Sequence, residues 1–282
     1  MGCVNRFRHE EIYFGGKGIN VSLILSELGV KSIALGFVAG FTGEAIERGI
    51  KEKGIETDFI YLKKGFSRIN VKIKSGVETE LNGNGPDIDN EALEELFYKL
   101  DRLKDGDIIV LAGSIPSSLP DDIYENILER LSDRKIKAVV DASGELLINV
   151  LKYKPFLIKP NNYELSEIFD KKLHTKEDIA ECAEKLREMG AKNVLVSMAS
   201  EGAILLDETG ALYVCDACSG TMKNSVGAGD SMVAGFIAGF MKGDYEYALM
   251  LGTAAGGATA FSDGLAEKDD IIKYMSQFDK EI

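Results

Sequence analysis

The sequence predicts an α/β fold: a doubly wound, mostly parallel sheet covered by helices on both faces, three layers deep, with a small β-sheet lid beside it. Three observations carry this. Short continuous apolar runs recur along the 282 residues, as strands buried on both faces of a parallel sheet require. Between them lie segments whose apolar residues repeat at helical spacing. One region instead alternates apolar and polar residues, the pattern of a strand pair with one wet face.

Taken in order, Gly15-Gly16-Lys17-Gly18 opens a helix with Val21, Ile24, Leu25 and Leu28 on one side, closed by Gly29. The run 33–38 reads as a strand of the main sheet. From Phe59 to Leu81, Ile69, Val71 and Ile73 interleave with Arg68, Asn70 and Lys72, and Ser75-Gly76 supplies a turn. That hairpin belongs in a separate small sheet. Helices are predicted over 89–103 and 120–133, and strands over 108–111, 138–140, 156–158 and 194–196. The clearest helix runs from the N-cap Thr175 to Met189, with Glu177 and Asp178 in its first turn. Ile179, Cys182, Ala183 and Leu186 form its apolar stripe, and Gly190 stops it.

Composition narrows the function. Thirty-three basic residues against 46 acidic ones give a net charge of −13, with no long basic run, which argues against nucleic acid as a partner. No apolar stretch approaches membrane-spanning length and no signal peptide opens the chain, so the reading is cytoplasmic and without a membrane partner. Cys215 and Cys218 form a single C-x-x-C pair; zinc would need two more ligands, so they read as reduced structural thiols. His9 and His174 are widely separated, against a Ser-His-Asp or Cys-His enzyme. Neither a Walker P-loop nor the G-x-G-x-x-G of a dehydrogenase is present.

The most informative segment is Lys223 to Met232, followed by the apolar run Met232, Val233, Ala234, Phe236, Ile237. Gly227, Ala228, Gly229 and Asp230 read as a first helical turn whose free N–H groups can hold an anion. A carboxylate there opposes an anion unless it has chemistry to do, such as taking a proton from an attacking hydroxyl. The bland alternative is a glycine-rich helix start capped by Asp230. Other candidates follow predicted strands, where ligands bind in open α/β sheets: Ser114 after 108–111, Asp141 to Glu145 after 138–140, and Lys159 to Glu164 after 156–158. Ser197 ends the next strand.

Lys223 to Gly235 resembles the carboxy-terminal signature of the ribokinase-like (PfkB) sugar kinases, in the branch that phosphorylates sugar phosphates. Gly15 to Asn20 resembles that family's sugar-binding signature, and Asn161-x-x-Glu164 its N-x-x-E motif. The resemblance spans the chain and implies one ribokinase-like domain over 1–282, with a lid formed by about 3–14 and 59–82. It implies Asp230 as catalytic base and Gly227, Ala228 and Gly229 as the anion hole. Gly16, Lys17, Asn20, Arg68, Lys72 and Ser114 would bind the sugar phosphate, Lys17 facing the phosphate already present. A solvated strand face is the competing reading for Arg68 and Lys72, and Arg68 ranks first. Lys159, Asn161, Ser197, Gly202 and Gly256 would meet ATP, with close helix packing as the alternative for Gly256. Glu164 would join the Mg²⁺–phosphate network, or serve only as a helix N-terminal acid.

The implied reaction is ATP-dependent phosphorylation of the 6-hydroxyl of fructose 1-phosphate. The alternatives are tagatose 6-phosphate as acceptor, or a sugar-phosphate-binding homologue with little turnover. The resemblance also implies a homodimer through the lid. In the family, an opening strand and a sugar-binding aspartate precede a Gly-x-Val-Asn-Arg segment. Gly2-Cys3-Val4-Asn5-Arg6 follows Met1 directly, so that strand and aspartate are expected to be missing, at a cost in stability and activity.

Overall fold

The computed structural model describes residues 9–75 and 77–278. Its elements run in the order Lys17–Glu27 (α1), Ile33–Ala34 (β1), Phe37–Ala39 (β2), Gly40–Glu52 (α2), Glu56–Thr57 (β3), Ile60–Leu62 (β4), Asn70–Ser75 (β5), Val77–Asn82 (β6) and Asn90–Leu100 (α3). There follow Ile108–Ala112 (β7), Ile123–Leu131 (α4), Lys137–Asp141 (β8), Gly144–Val150 (α5), Leu157–Ile158 (β9), Asn162–Ile168 (α6) and Lys176–Glu188 (α7). The chain continues with Asn193–Ser197 (β10), Ala203–Leu206 (β11), Leu212–Cys215 (β12), Ala228–Phe240 (α8), Tyr245–Ala260 (α9) and Lys268–Met275 (α10).

The main sheet has the order β12-β11-β10-β9-β8-β7. β7 to β10 are parallel, and β11 and β12 add antiparallel strands at one edge. Strand periodicity divides its side chains between two cores. Val140, Ile158, Val194, Val196 and Ile204 face one core with α3 to α7; Val139, Leu157, Leu195 and Leu205 face the other with α1, α8, α9 and α10. The predicted helix 175–189 is α7: Thr175 and Asp178 form a capping box, and Ile179, Cys182, Ala183 and Leu186 are its buried residues. Cys215 and Cys218 are buried free thiols, and burial pushes their pKa values up to about 11 and about 12.

The region before β7 departs from the expected layout. The run 33–38 is two short strands broken at Leu35-Gly36. They pair in parallel with β3 and β4 rather than joining the main sheet. Ile60–Leu62, expected in the lid, is therefore committed to β2. The hairpin proper is β5–β6, with Asn70 opposite Asn82 and Val71 opposite Leu81. Residues 3–8 of the expected lid, and Gly2 to Arg6 with them, lie outside the described residues.

Helices α8 and α9 cross without room for side chains at the contact. A Cβ on Gly235 would stand 2.5 Å from the Leu251 carbonyl oxygen, and one on Gly239 2.5 Å from Ala248 Cα. In return, one on Gly252 would stand 2.9 Å from the Met232 carbonyl oxygen. Gly235→Ala is expected to lower stability by about 1–3 kcal/mol through overpacking, read as a reduced midpoint in denaturant with an unchanged slope. An unchanged midpoint would show that the helices can part at little cost.

Candidate active site

The carboxyl ends of the four parallel strands and the N-termini of α1 and α8 converge. Helix α8 starts at Gly227, whose φ of 82° lies in the left-handed region that glycine tolerates. A Cβ there would also stand 2.5 Å from Leu265 Cδ2. The first helical bond is Ser231 N–H to the Gly227 carbonyl at 2.8 Å, so the first-turn N–H groups have no intrahelical acceptor, although that of Ala228 reaches back to the Ser225 carbonyl at 3.5 Å. Ser231 Oγ donates to the same carbonyl and meets Thr259 Oγ1, both at 2.8 Å, while Ala266 N–H donates to Thr259 Oγ1 at 3.1 Å. The turn is thereby tied to the end of α9 and the loop beyond it.

Asp230, only 5% exposed, sits in this turn. Burial pushes its carboxyl pKa up. The hydrogen bond from Asn20 pulls it down, Asp141 pushes it further up, and Lys17 and Lys159 pull it down. Asn20 Nδ2 donates to Asp230 Oδ2 at 2.8 Å and so orients the carboxylate from α1. Asn20 is set there because its own N–H donates to the Gly16 carbonyl at 2.8 Å, closing the first turn after the N-cap Gly16.

Asp141, at the end of β8, organises the cations. Its Oδ2 accepts from Lys17 Nζ at 3.1 Å, and its Oδ1 lies 3.2 Å from Lys159 Nζ. Asp141 and Lys159 are 4% and 5% exposed. Burial lowers the Lys17 pKa, while the charge and hydrogen bond of Asp141, followed by Asp230 and Glu164, raise it, and the net shift is upward. Lys159 also borders the anion turn: a Cβ on Gly229 would stand 3.2 Å from its Nζ. Lys17 is thus held by Asp141 at the strand ends.

Gly113, before Ser114, donates its N–H to the Asp141 carbonyl at 3.1 Å and accepts from the Tyr124 hydroxyl at 3.2 Å. Burial, with Asp141 nearby, pushes Tyr124 up to about 12. Ser114 itself is exposed. Asn161 and Glu164 form the capping box of α6, Asn161 N–H to Glu164 Oε2 at 2.8 Å and Glu164 N–H to Asn161 Oδ1 at 2.9 Å. Asn161 bridges to Ser197 at the end of β10.

Lys72, Gly202 and Arg68 stand outside this cluster, while Gly256 borders its helix turn. Lys72 pairs across the hairpin with Glu80, opposite it in register, which matches the solvated-strand reading and spends its charge locally. Gly202 is a packing position: a Cβ would stand 2.0 Å from the Cys215 carbonyl oxygen. Gly256 packs against α8, its Cβ position 3.1 Å from the Ala228 carbonyl oxygen. Arg68 is exposed at the base of the hairpin and makes no hydrogen bond or ion pair among the described residues.

In the sequence Asp141 stands in a candidate segment without an assigned role, and Tyr124 is not singled out. Asp141 carried a usable signal as the last residue of a buried strand at the ligand-binding edge. Tyr124 carried none, as one aromatic on an amphipathic helix.

Chemically, the cluster offers a buried carboxylate aimed by an amide, open backbone donors beside it, and two ammonium groups flanking both. That set can hold an anionic group and take a proton next to it.

The pfkB family of carbohydrate kinases matches residues 1–271. The chain is 47% identical over 278 residues to a 1-phosphofructokinase of Bacillus subtilis, covering 98% of this chain and 91% of that one. It is 38% identical to a D-tagatose-1-phosphate kinase of Bacillus licheniformis, covering 97% and 90%. Phosphofructokinase-2 from Escherichia coli, solved in complex with fructose-6-phosphate, superposes with a TM-score of 0.85 at 26% identity over 94% and 88% of the two chains. The same protein has been solved as a tetrameric inhibited form.

Proposed function

The chain belongs to the pfkB family of carbohydrate kinases, and from that membership we propose that it transfers the γ-phosphoryl group of ATP to the 6-hydroxyl of fructose 1-phosphate. The observation that carries the reading is Asp230: a buried carboxylate in an open helix turn, aimed by Asn20 at 2.8 Å. Asp230 takes the hydroxyl proton as the sugar oxygen attacks phosphorus, and the bond from phosphorus to the ADP oxygen breaks. The N–H groups of Gly227, Ala228, Gly229 and Asp230 face the charge on the transferring group. Lys159, against Gly229, lies on the ATP side, and Lys17 reaches the same Asp141 from α1 on the sugar side. Arg68 meets the phosphate the sugar already carries, with Gly16, Asn20 and Ser114 as polar neighbours of the sugar.

Among the described residues no three His, Cys, Asp or Glu side chains converge as a metal cage. That donor set suits Mg²⁺ carried on the nucleotide's phosphates and met through water by Glu164, one of whose oxygens is taken by the Asn161 N–H. When bound, Mg²⁺ neutralises phosphate charge. Asn161 and Ser197 stand next to Lys159 as nucleotide contacts. No described helix is long and apolar enough to cross a membrane, and a cytoplasmic location is part of the same reading.

The test is steady-state kinetics with ATP and fructose 1-phosphate, D-tagatose 1-phosphate, tagatose 6-phosphate or fructose 6-phosphate as acceptor. Fructose 1-phosphate is expected to give the highest kcat/KM. A higher value for another acceptor would reassign the substrate, and turnover of none would leave a binding protein. D-Tagatose 1-phosphate is the second reading, favoured by the 38% identical relative.

We also infer a homodimer through the hairpin. Ile69, Val71 and Leu81 are 48%, 39% and 57% exposed, and the opposed pair Val71 and Leu81 shares one face. A two-stranded sheet with an uncovered apolar face needs a partner. Light scattering at micromolar protein should give twice the 30.7 kDa chain mass; a single-chain mass defeats the dimer.

A further inference from the structure

Arg68 leaves a rigidly held stretch of backbone. Ser67, immediately before it, is buried. Its N–H donates to the Ala39 carbonyl at 2.9 Å, and its Oγ accepts from the Ala39 N–H at 3.0 Å. Its carbonyl accepts from Thr42 Oγ1 at 2.8 Å. Ala39 is the N-cap of α2 and Thr42 lies in that helix's first turn, so three bonds lash Ser67 to one helix end. The approach is close: a Cβ on Gly43 would stand 3.2 Å from Ser67 Oγ and 2.9 Å from Val38 Cβ. On the other side, Gly83 N–H donates to the Ile69 carbonyl at 3.1 Å, and Gly85 backs onto Arg68 Cβ. The backbone is pinned before and after Arg68, while its guanidinium has no partner among the described residues.

We propose that Thr42 and Ser67 are positioning residues for Arg68, fixing its Cα against the start of α2 so that the guanidinium meets the phosphate already on the acceptor sugar. The proposal rests on the reading of Arg68 given above. Any residue at 67 could keep the backbone pair with Ala39. The two hydroxyls are what this sequence adds, and each removes a degree of freedom that Arg68 would otherwise lose on binding. Neither hydroxyl touches substrate, so their effect passes entirely through Arg68.

A double-mutant cycle tests this, using Thr42→Val, Thr42→Ser, Arg68→Ala and the Thr42→Val/Arg68→Ala pair. Thr42→Val should raise KM for fructose 1-phosphate about three- to tenfold, the scale of one net hydrogen bond, with KM for ATP and kcat within about twofold. Thr42→Ser should restore the parent KM. Arg68→Ala should raise the same KM about ten- to a hundredfold, as loss of a charge-assisted contact does. In that background Thr42→Val should add nothing. Multiplying effects, or equal shifts in both KM values, overturn the proposal. If Arg68→Ala leaves the KM unchanged, the reading of Arg68 itself fails. If Arg68→Ala acts and Thr42→Val does not, only the positioning role fails. Ser67→Ala, which removes only the acceptor for the Ala39 N–H, gives the same measurement should Thr42→Val not fold.

Discussion

Asp230→Asn is expected to fold as the parent does and to lose on the order of 10²–10⁴ in kcat, the scale of a missing general base. The amide keeps the shape and can still meet Asn20, but it cannot take the hydroxyl proton. KM for ATP should change little, because the open N–H groups of the turn remain. The parent enzyme's pH profile gives a second reading. Burial raises the Asp230 pKa, so kcat/KM should fall as pH drops through that raised value, an acid limb above the ordinary carboxylate range. Linkage gives stability the opposite sense. Folded Asp230 holds its proton more tightly than the unfolded chain does, so across that window the protein gains stability as pH falls. Without the buried charge, Asp230→Asn should melt near neutral pH at the parent's temperature or above. A variant keeping more than about a tenth of the parent kcat would remove Asp230 from the role of base.

Asp141→Asn carries the second large effect, and here stability suffers. The side chains of Asp141 and Lys159 are 5% and 7% exposed, and removing one partner of a buried pair costs about 3–5 kcal/mol. The Lys17 side chain is 46% exposed and adds little to that loss. The kinetic effect has another origin. Asp141 is the shared anchor of two ammonium groups; on the proposed reading these flank the reacting phosphoryl group, and misplacement by about 1 Å can cost about 10²-fold in rate. Both a lower denaturation midpoint and a kcat/KM reduced on that scale are expected. Unchanged stability together with an unchanged KM for ATP would mean that Lys159 is held by something else.

Local signals were read directly from the sequence. Thr175 with Asp178, the stripe Ile179, Cys182, Ala183, Leu186, and the start of α8 at Gly227 all lie within one or two helical turns, where capping and periodicity operate. What escaped depends on distant contacts. Lys17 and Asp141 are 124 residues apart and Asn20 and Asp230 are 210 apart; the resemblance supplied a role for Asn20 and Asp230 but not for Asp141. The run 33–38 looked like one strand because apolar character continues through Leu35-Gly36, and only its pairing with β3 and β4 divides it. The cross-strand partner of Lys72 follows from the turn. A turn at 75–76 that sets Ser75 opposite Val77 also sets Lys72 opposite Glu80. Gly202 and Gly256 show the limit of reading glycines from sequence, since close packing and close ligand approach call for the same residue.

The crossing of α8 and α9 bears on how the enzyme moves. With Gly235, Gly239 and Gly252 set backbone against backbone, the two helices are packed closer than side chains at those positions would allow. The donors at the head of α8 therefore have little thermal freedom to wander before substrates arrive. Their alignment is completed when the chain folds, and the chemical step need not wait for it. Any closing motion must be carried by the opposite wall, where α2 and the β5–β6 hairpin stand outside the main sheet. Substitutions that loosen the catalytic cycle without touching chemistry should accordingly cluster in residues 37–85, and those within the α8–α9 contact should cost the fold before they cost the rate.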